Sequence, residues 1–400
     1  MTIVDDLIEA DAPQSDIDLW SDAVLDDPYP YYRELRDLGP AVWLNKHDIW
    51  VIPRFSSIRA ALLDAEAFVS SKGIAVNDLA NQAAEGIMLV TDDPEHKRLR
   101  RTFMKPLQPN ALKLLKDRLD RLARGQVDKL LAKGRFDAVT ELAYFLPLTV
   151  VTELVGFSED GKRNMLRWAA GLFDGMGPMG YERTERGLQV TQEALEYVMT
   201  VKRDELDPEG WGAALFVAAD NGDLSPVEAQ AMLMDYLGPA LDTTINGFSA
   251  LLYQLGKNPD QWRLLKENPD RLPFAIDEAL RLESPIRGFT RCLTRDFDME
   301  GVSMRAGDRA LMLYASANRD ERHYPDPERF DIMRDARDHV GFGYGTHICA
   351  GRNLAKLEIT TVFNILLERV ASFELLEEER IPHNTLRGLS KLLVEMHEEA

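Results

Sequence analysis

Residues 342 to 351 read Phe342-Gly343-Tyr344-Gly345-Thr346-His347-Ile348-Cys349-Ala350-Gly351. A cysteine stands among Gly343, Gly345 and Gly351, which remove side-chain bulk around it. Glycines at that density let a backbone turn tightly and lie close against a flat ligand. Beyond Gly351 the pattern turns helical, Arg352-Asn353-Leu354-Ala355-Lys356-Leu357-Glu358. Cys349 is therefore expected at a helix N-terminus, where the dipole and free N–H groups favour a thiolate. A thiolate is a strong, soft ligand for a transition metal. A lone cysteine is more often a small buried hydrophobe. Here it is the spacing of phenylalanine, glycines, histidine and cysteine, not the cysteine alone, that points to a ligand.

The rest of the chain sets bounds. It has 400 residues, 45% of them hydrophobic, enough for a sizeable core. A formal net charge of -20 argues against non-specific binding to nucleic acid or to an anionic membrane. The two cysteines, Cys292 and Cys349, argue against a disulfide framework and fit a reducing cytoplasm. The N-terminus has no basic segment followed by an apolar run, and no run of 18 apolar residues occurs, so neither a signal peptide nor a membrane anchor is expected.

The first 20 or so residues are acidic and expected to be loosely held; residues 21–400 are read as one domain. A helix is expected from Asp27-Pro28-Tyr29-Pro30 to about Leu38, and strands at 41–44, 49–52, within 286–315 and within 372–397. Helical periodicity dominates from about Glu95 to Val370. Its clearest helix opens at Ser225-Pro226-Val227-Glu228, a capping box with proline at the first helical position. It is expected to run to Gly256-Lys257-Asn258-Pro259, about 31 residues or roughly 46 Å. The fold class is mainly α with small β-sheets.

The cysteine loop resembles the haem-binding loop of the cytochrome P-450 family, and the resemblance extends over nearly the whole chain. It implies the single-domain fold of that family, in which a long central helix and the cysteine loop enclose haem b, with Cys349 as iron ligand and Phe342, Gly343 and Gly351 shaping the loop. Upstream, Glu278-Ala279-Leu280-Arg281 and Pro327-Glu328-Arg329-Phe330 stand in the family's order. The resemblance makes Glu278, Arg281 and Arg329 a buried network bracing the cysteine side of the core. His96 and Arg100, spaced i, i+4, match a propionate-contacting element, as do Arg291 and His347. Within the long helix lies Gly238-Pro239-Ala240-Leu241-Asp242-Thr243-Thr244. The family carries an acid–threonine pair beside a helix distortion at this point, which implies that Asp242 and Thr243 deliver protons during oxygen activation. This chain has Pro239-Ala240 where Ala-Gly is usual, and a proline by itself enforces a kink.

In the family the His96–Arg100 helix lies on the face where a reductase docks. Lys97, Arg98, Arg101 and Lys105, extended by Arg352 and Lys356, would give that face local positive potential on an acidic chain. A ferredoxin or flavodoxin with its NAD(P)H reductase is the implied electron source. Within the family the chain looks closest to bacterial enzymes that hydroxylate or O-demethylate para-substituted aromatics. Positions matching their pocket are Met88, Leu89, Phe173, Met176, Gly238, Ala240, Ile286, Phe289 and Leu386, all apolar or small. The segment Asn81-Gln82-Ala83-Ala84-Glu85-Gly86 lacks the arginine or serine with which aromatic-acid enzymes grip a carboxylate, and Gly238 replaces a small hydroxyl. A neutral or phenolic aromatic is therefore expected, with a terpenoid as the alternative and a non-catalytic haem sensor or carrier as the reading from another class.

Overall fold

A computed structural model describes residues 12–399. Most of the chain is helical, and the strands gather in three small sheets. The largest has six strands, in the order Gln14–Ser15, Val42–Leu44, Ile49–Ile52, Arg309–Met312, Phe289–Leu293 and Phe68–Val69. Every residue of Val42–Leu44 and Ile49–Ile52 is buried, which is why these runs read as continuous apolar stretches rather than as alternation. Trp43 opposes Trp50, and Trp50 pairs with Ala310 on its other side. A second sheet joins Val370–Arg380, Leu389–Glu398 and Arg135–Asp137, and a two-stranded one joins Phe297–Met299 with Val302–Met304. The helix expected after Asp27 spans Tyr29–Leu38. Among the described residues no helix is long and apolar enough to cross a membrane.

The loosely held segment expected through residue 20 is corrected for its second part. Trp43 N–H donates to Pro13 O at 2.8 Å, Gln14–Ser15 pairs as a strand, and Leu19 and Trp20 are buried. Residues 1–11 lie outside the described residues. The apolar side chains of 17–24 pack with Tyr32, Leu35 and the sheet, so burial there outweighs the acidic composition.

The central helix begins as expected: Glu228 N–H donates to Ser225 Oγ at 3.2 Å and Ser225 N–H to Glu228 Oε2 at 2.6 Å. It is not one continuous rod. It runs Pro226–Ala231, Leu233–Leu237 and, after a break, Asp242–Lys257. Pro239 has no N–H and its ring cannot fit against the preceding turn. The break is finished locally: Gly238 N–H still reaches Met234 O at 3.0 Å, and Thr243 Oγ1 donates to Pro239 O at 2.8 Å.

The carboxylate–guanidinium network forms, with one member corrected. Glu278 and Arg281 are fully buried and share two bonds, of 2.7 and 2.9 Å. Arg281 also donates to the carbonyls of Asn318 and Pro327. The second guanidinium on Glu278 belongs to Arg334, 3.0 Å from Oε1, not to Arg329. The Arg329 side chain is 64% exposed and pairs with Asp331; only its backbone carbonyl faces Arg281. Arg334 lies one turn of loop further on, where Asp331 N–H also reaches Glu278. Removing one partner of a buried ion pair leaves an uncompensated charge, which costs about 3–5 kcal/mol. Glu278→Ala should lower the free energy of urea unfolding by that amount, Arg334→Ala by less, and Arg329→Ala by within about 0.5 kcal/mol, as for an ordinary surface change. Equal losses at Arg329 and Arg334 would reverse this correction.

Candidate active site

The cysteine loop turns on left-handed glycines. Gly343 and Gly345 have φ of +69° and +68°, and a Cβ on Gly345 would stand 2.5 Å from Leu62 O. Cys349 N–H donates to Phe342 O at 2.8 Å and closes the loop. Gly351 caps the 18-residue helix Arg352–Arg369, so the cysteine stands two residues before a helix N-terminus, as expected. Burial pushes the Cys349 thiol up; the N–H of Gly351, the Arg100 guanidinium and the N–H of Arg352 act in the opposite sense. Those three groups are what would favour a thiolate once a metal shares the charge. Phe342 packs beside the His339 ring, centroids 5.4 Å apart, and beneath Lys356 Nζ.

Around the loop lies a cationic, hydrogen-bonding rim. His96 and His347 stack obliquely, centroids 4.1 Å apart. His96 Nε2 and His347 Nδ1 are buried without a hydrogen-bond partner. Burial holds both imidazoles neutral, His347 down to about 2, with Arg291 and Arg100 adding to the effect. Arg100 donates to Ile348 O, and Arg291 is buried with a bond to Thr290 O of 2.7 Å. Two residues of one early helix and two from late in the chain thus converge beside one cysteine, with polar atoms left over for an anion. Unpaired buried donors of this kind are costly unless a ligand completes them.

Asp242 and Thr243 open the second part of the broken helix. Asp242 Oδ2 is buried with no partner, and burial, reinforced by Asp174, pushes this carboxyl up to about 7. Of the expected pocket residues, Phe173, Ile286 and Leu386 share one buried cluster against which Met176 and Phe289 pack. Ile286 bridges to Leu386, and the Phe173 and Phe289 rings stack at 6.5 Å. Met88 is buried in the main helical core, and Ala240 packs against that core. Gly238 is buried, with Leu172 3.4 Å from where a Cβ would sit, and Leu89 is half-buried.

The basic face is sparser than the sequence suggests. Lys97, Arg101 and Arg352 are exposed. Arg98 is committed to Glu95, Glu228 and the carbonyl of Asp223, Lys105 pairs with Asp223 at 3.2 Å, and Lys356 with Asp277 at 2.5 Å. Those acids are distant in sequence or on the preceding turn, so a basic run alone does not expose them. Sequence reasoning also passed over Asp235. Its buried carboxylate accepts Met88 N–H at 2.9 Å and Leu89 N–H at 3.2 Å, and burial pushes it up to about 7. The signal was present: an aspartate amid the apolar stretch Met232-Leu233-Met234-Asp235-Tyr236-Leu237.

Comparison with known proteins places these features together. The family model for cytochrome P450 matches residues 180–395. The chain is 35% identical to cytochrome P450 CYP199A2 of Rhodopseudomonas palustris, over 97% of this chain and 95% of that protein. It is 29% identical to linalool 8-monooxygenase of Pseudomonas putida, over 92% and 95%. Among solved structures, cytochrome P450 CREJ in complex with (4-ethylphenyl) dihydrogen phosphate superposes with a TM-score of 0.83 at 27% identity, covering 93% of this chain and 98% of that one. The residues present suit a haem: a sulfur that would hold the iron, guanidiniums and unsatisfied ring nitrogens that would take the propionates, and a glycine-turned loop that presents the sulfur at a helix N-terminus. The chain belongs to the cytochrome P450 family, as a bacterial-type monooxygenase whose cofactor is a cysteine-ligated haem iron.

Proposed function

We propose that the chain oxygenates a small neutral or phenolic, para-substituted aromatic by hydroxylation or O-demethylation, with electrons from a ferredoxin or flavodoxin and its NAD(P)H reductase. The observation that carries the substrate class is the charge distribution around the apolar cluster. Phe173, Met176, Ile286, Phe289 and Leu386 offer apolar and aromatic surface. Asp242 at the helix break is an acid, and the buried cations beside the cluster are already committed, Arg287 to Tyr32 and to the Asn384 and Leu19 carbonyls and Arg291 to Thr290 O. In Asn81–Gly86, Asn81 is spent on both backbone groups of Ala75, and Gln82 and Glu85 are exposed. An anionic ligand would enter without an uncommitted cationic partner. The CREJ complex with (4-ethylphenyl) dihydrogen phosphate supports the aromatic reading; linalool 8-monooxygenase supports the terpenoid alternative. Spectral titration of the haem-loaded protein should give 4-methoxyphenol a Kd at least tenfold below that of 4-methoxybenzoate. Tighter binding of the benzoate would overturn the proposal, and binding of linalool alone would transfer it to terpenoids.

When bound, the thiolate-ligated haem supplies oxygen activation and transfer of one oxygen atom to a C–H bond. The chain's own part is to hold the substrate, exclude water and move protons. Thr243 carries its hydroxyl at the helix break, tied to Pro239 O. Asp242, raised to about 7, gains and loses a proton close to neutral pH, the condition for efficient proton transfer. Because the shift is upward, Asp242 is protonated below about pH 7 and charged above it. The product formed per NADH should therefore fall as pH rises through 7, and Asp242→Asn should abolish that inflection. Thr243→Ala should keep NADH consumption but divert most of it to peroxide. Unchanged coupling in Thr243→Ala would remove the hydroxyl from the proton route.

The electron source would dock on Lys97, Arg101 and Arg352, whose charges are free of the acids that neutralise Arg98 and Lys105. In the same reconstituted system, Arg101→Glu should slow reduction about tenfold at low salt, the effect shrinking as ionic strength rises. Rates indifferent to both salt and Arg101 would exclude this face.

A further inference from the structure

We infer that Asp235 is a positioning residue that pins the Met88–Val90 turn to the central helix and thereby fixes one wall of the substrate pocket. This rests on the reading of Met88 and Leu89 as pocket residues. Met88–Val90 is a single 3-10 turn between Ile87 and Thr91. Inside the turn, Val90 N–H reaches Ile87 O and Thr91 N–H reaches Met88 O. The first N–H groups of any helical turn have no partner within it. Here Met88 and Leu89 N–H both go to one carboxylate 146 to 147 residues away, at 2.9 and 3.2 Å. Asp235 thus caps the turn from another helix, and it is 7% exposed. A buried carboxylate is expensive unless it is hydrogen-bonded, and hydrogen bonds to charged groups are about twice as strong as neutral ones.

The next residue extends the grip. Tyr236 OH donates to Phe103 O at 3.2 Å, and the two rings stack at 4.2 Å. Phe103 ends the helix Glu95–Phe103, which carries His96 and Arg100. Two consecutive residues of the central helix therefore hold both ends of the 88–103 segment: the pocket wall at one end and the last turn of the propionate-binding helix at the other. Both grips stand on Leu233–Leu237, the short piece of helix just before the Gly238–Leu241 break. Position 235 lies one turn from Gly238, so the wall and the break keep one spacing.

Asp235→Asn keeps size and one acceptor but sets an NH2 group against the second N–H. The test uses the haem-loaded protein and two iron-binding azoles. 4-Phenylimidazole needs the wall and imidazole does not, so the variant should bind 4-phenylimidazole about tenfold more weakly and imidazole within about twofold of wild type. Amide hydrogen exchange at Met88 and Leu89 should accelerate in the variant. Equal shifts for both azoles, or no shift, together with unchanged amide exchange would overturn the inference. Fast exchange with no azole discrimination would leave the clamp standing and refute Met88 and Leu89 as pocket wall. Should the variant not fold, the wild-type amides decide: protection of Met88 and Leu89 far above that of Gln82 and Glu85 is expected, and exchange at the same pace as those two would overturn the clamp.

Discussion

Holding one sulfur at the mouth of a helix, in a loop turned on two left-handed glycines, is the constraint on which the rest depends. Burial alone raises the Cys349 thiol and would keep it protonated. The loop counters this with the Gly351 and Arg352 N–H groups and with Arg100, a residue some 250 positions away. Each of these needs its own support. The loop needs left-handed glycines and the Leu62 backbone pressed against Gly345. Arg100 needs its helix held, through Phe103 and Tyr236, to the central helix. The loop's other flank rests on Asp277, which takes Lys356 of the cysteine helix and His339 just ahead of Phe342.

The central helix shows how local strain becomes geometry. Pro239 removes a backbone bond, and the Thr243 hydroxyl satisfies the proline's own carbonyl across the break. The residue read as a proton carrier thereby also stabilises the kink. Asp242 begins the next helical piece with its outer oxygen buried and unpartnered, which raises its carboxyl to the range where protons exchange at neutral pH.

Features fixed by short-range chemistry were legible in the sequence. The cysteine loop, the Ser225 capping box, the Glu278–Arg281 spacing and the His96–Arg100 face all appear in the structure as read. What failed depended on partners distant in sequence. Arg334 rather than Arg329 completes the Glu278 site because the loop after Phe330 turns back, and no local pattern marks which arginine points inward. Arg98 and Lys105 looked free because Glu228 and Asp223 stand 130 and 118 residues further along the chain. The acidic start of the chain looked loose, yet Leu19 and Trp20 are buried against the sheet. The break at Gly238–Leu241 was readable as a kink, but its four-residue extent and the further interruption at Met232 were not.

The central claim is that Cys349 supplies the sulfur that ligates iron. It is tested most directly by the carbon monoxide difference spectrum of the reduced, haem-loaded protein and of Cys349→Ala. The account predicts the long-wavelength band of thiolate ligation in the wild type and its complete loss in the variant, with Cys292 unable to restore it. Retention of that band in Cys349→Ala, or its absence from folded haem-loaded wild type, would contradict the account.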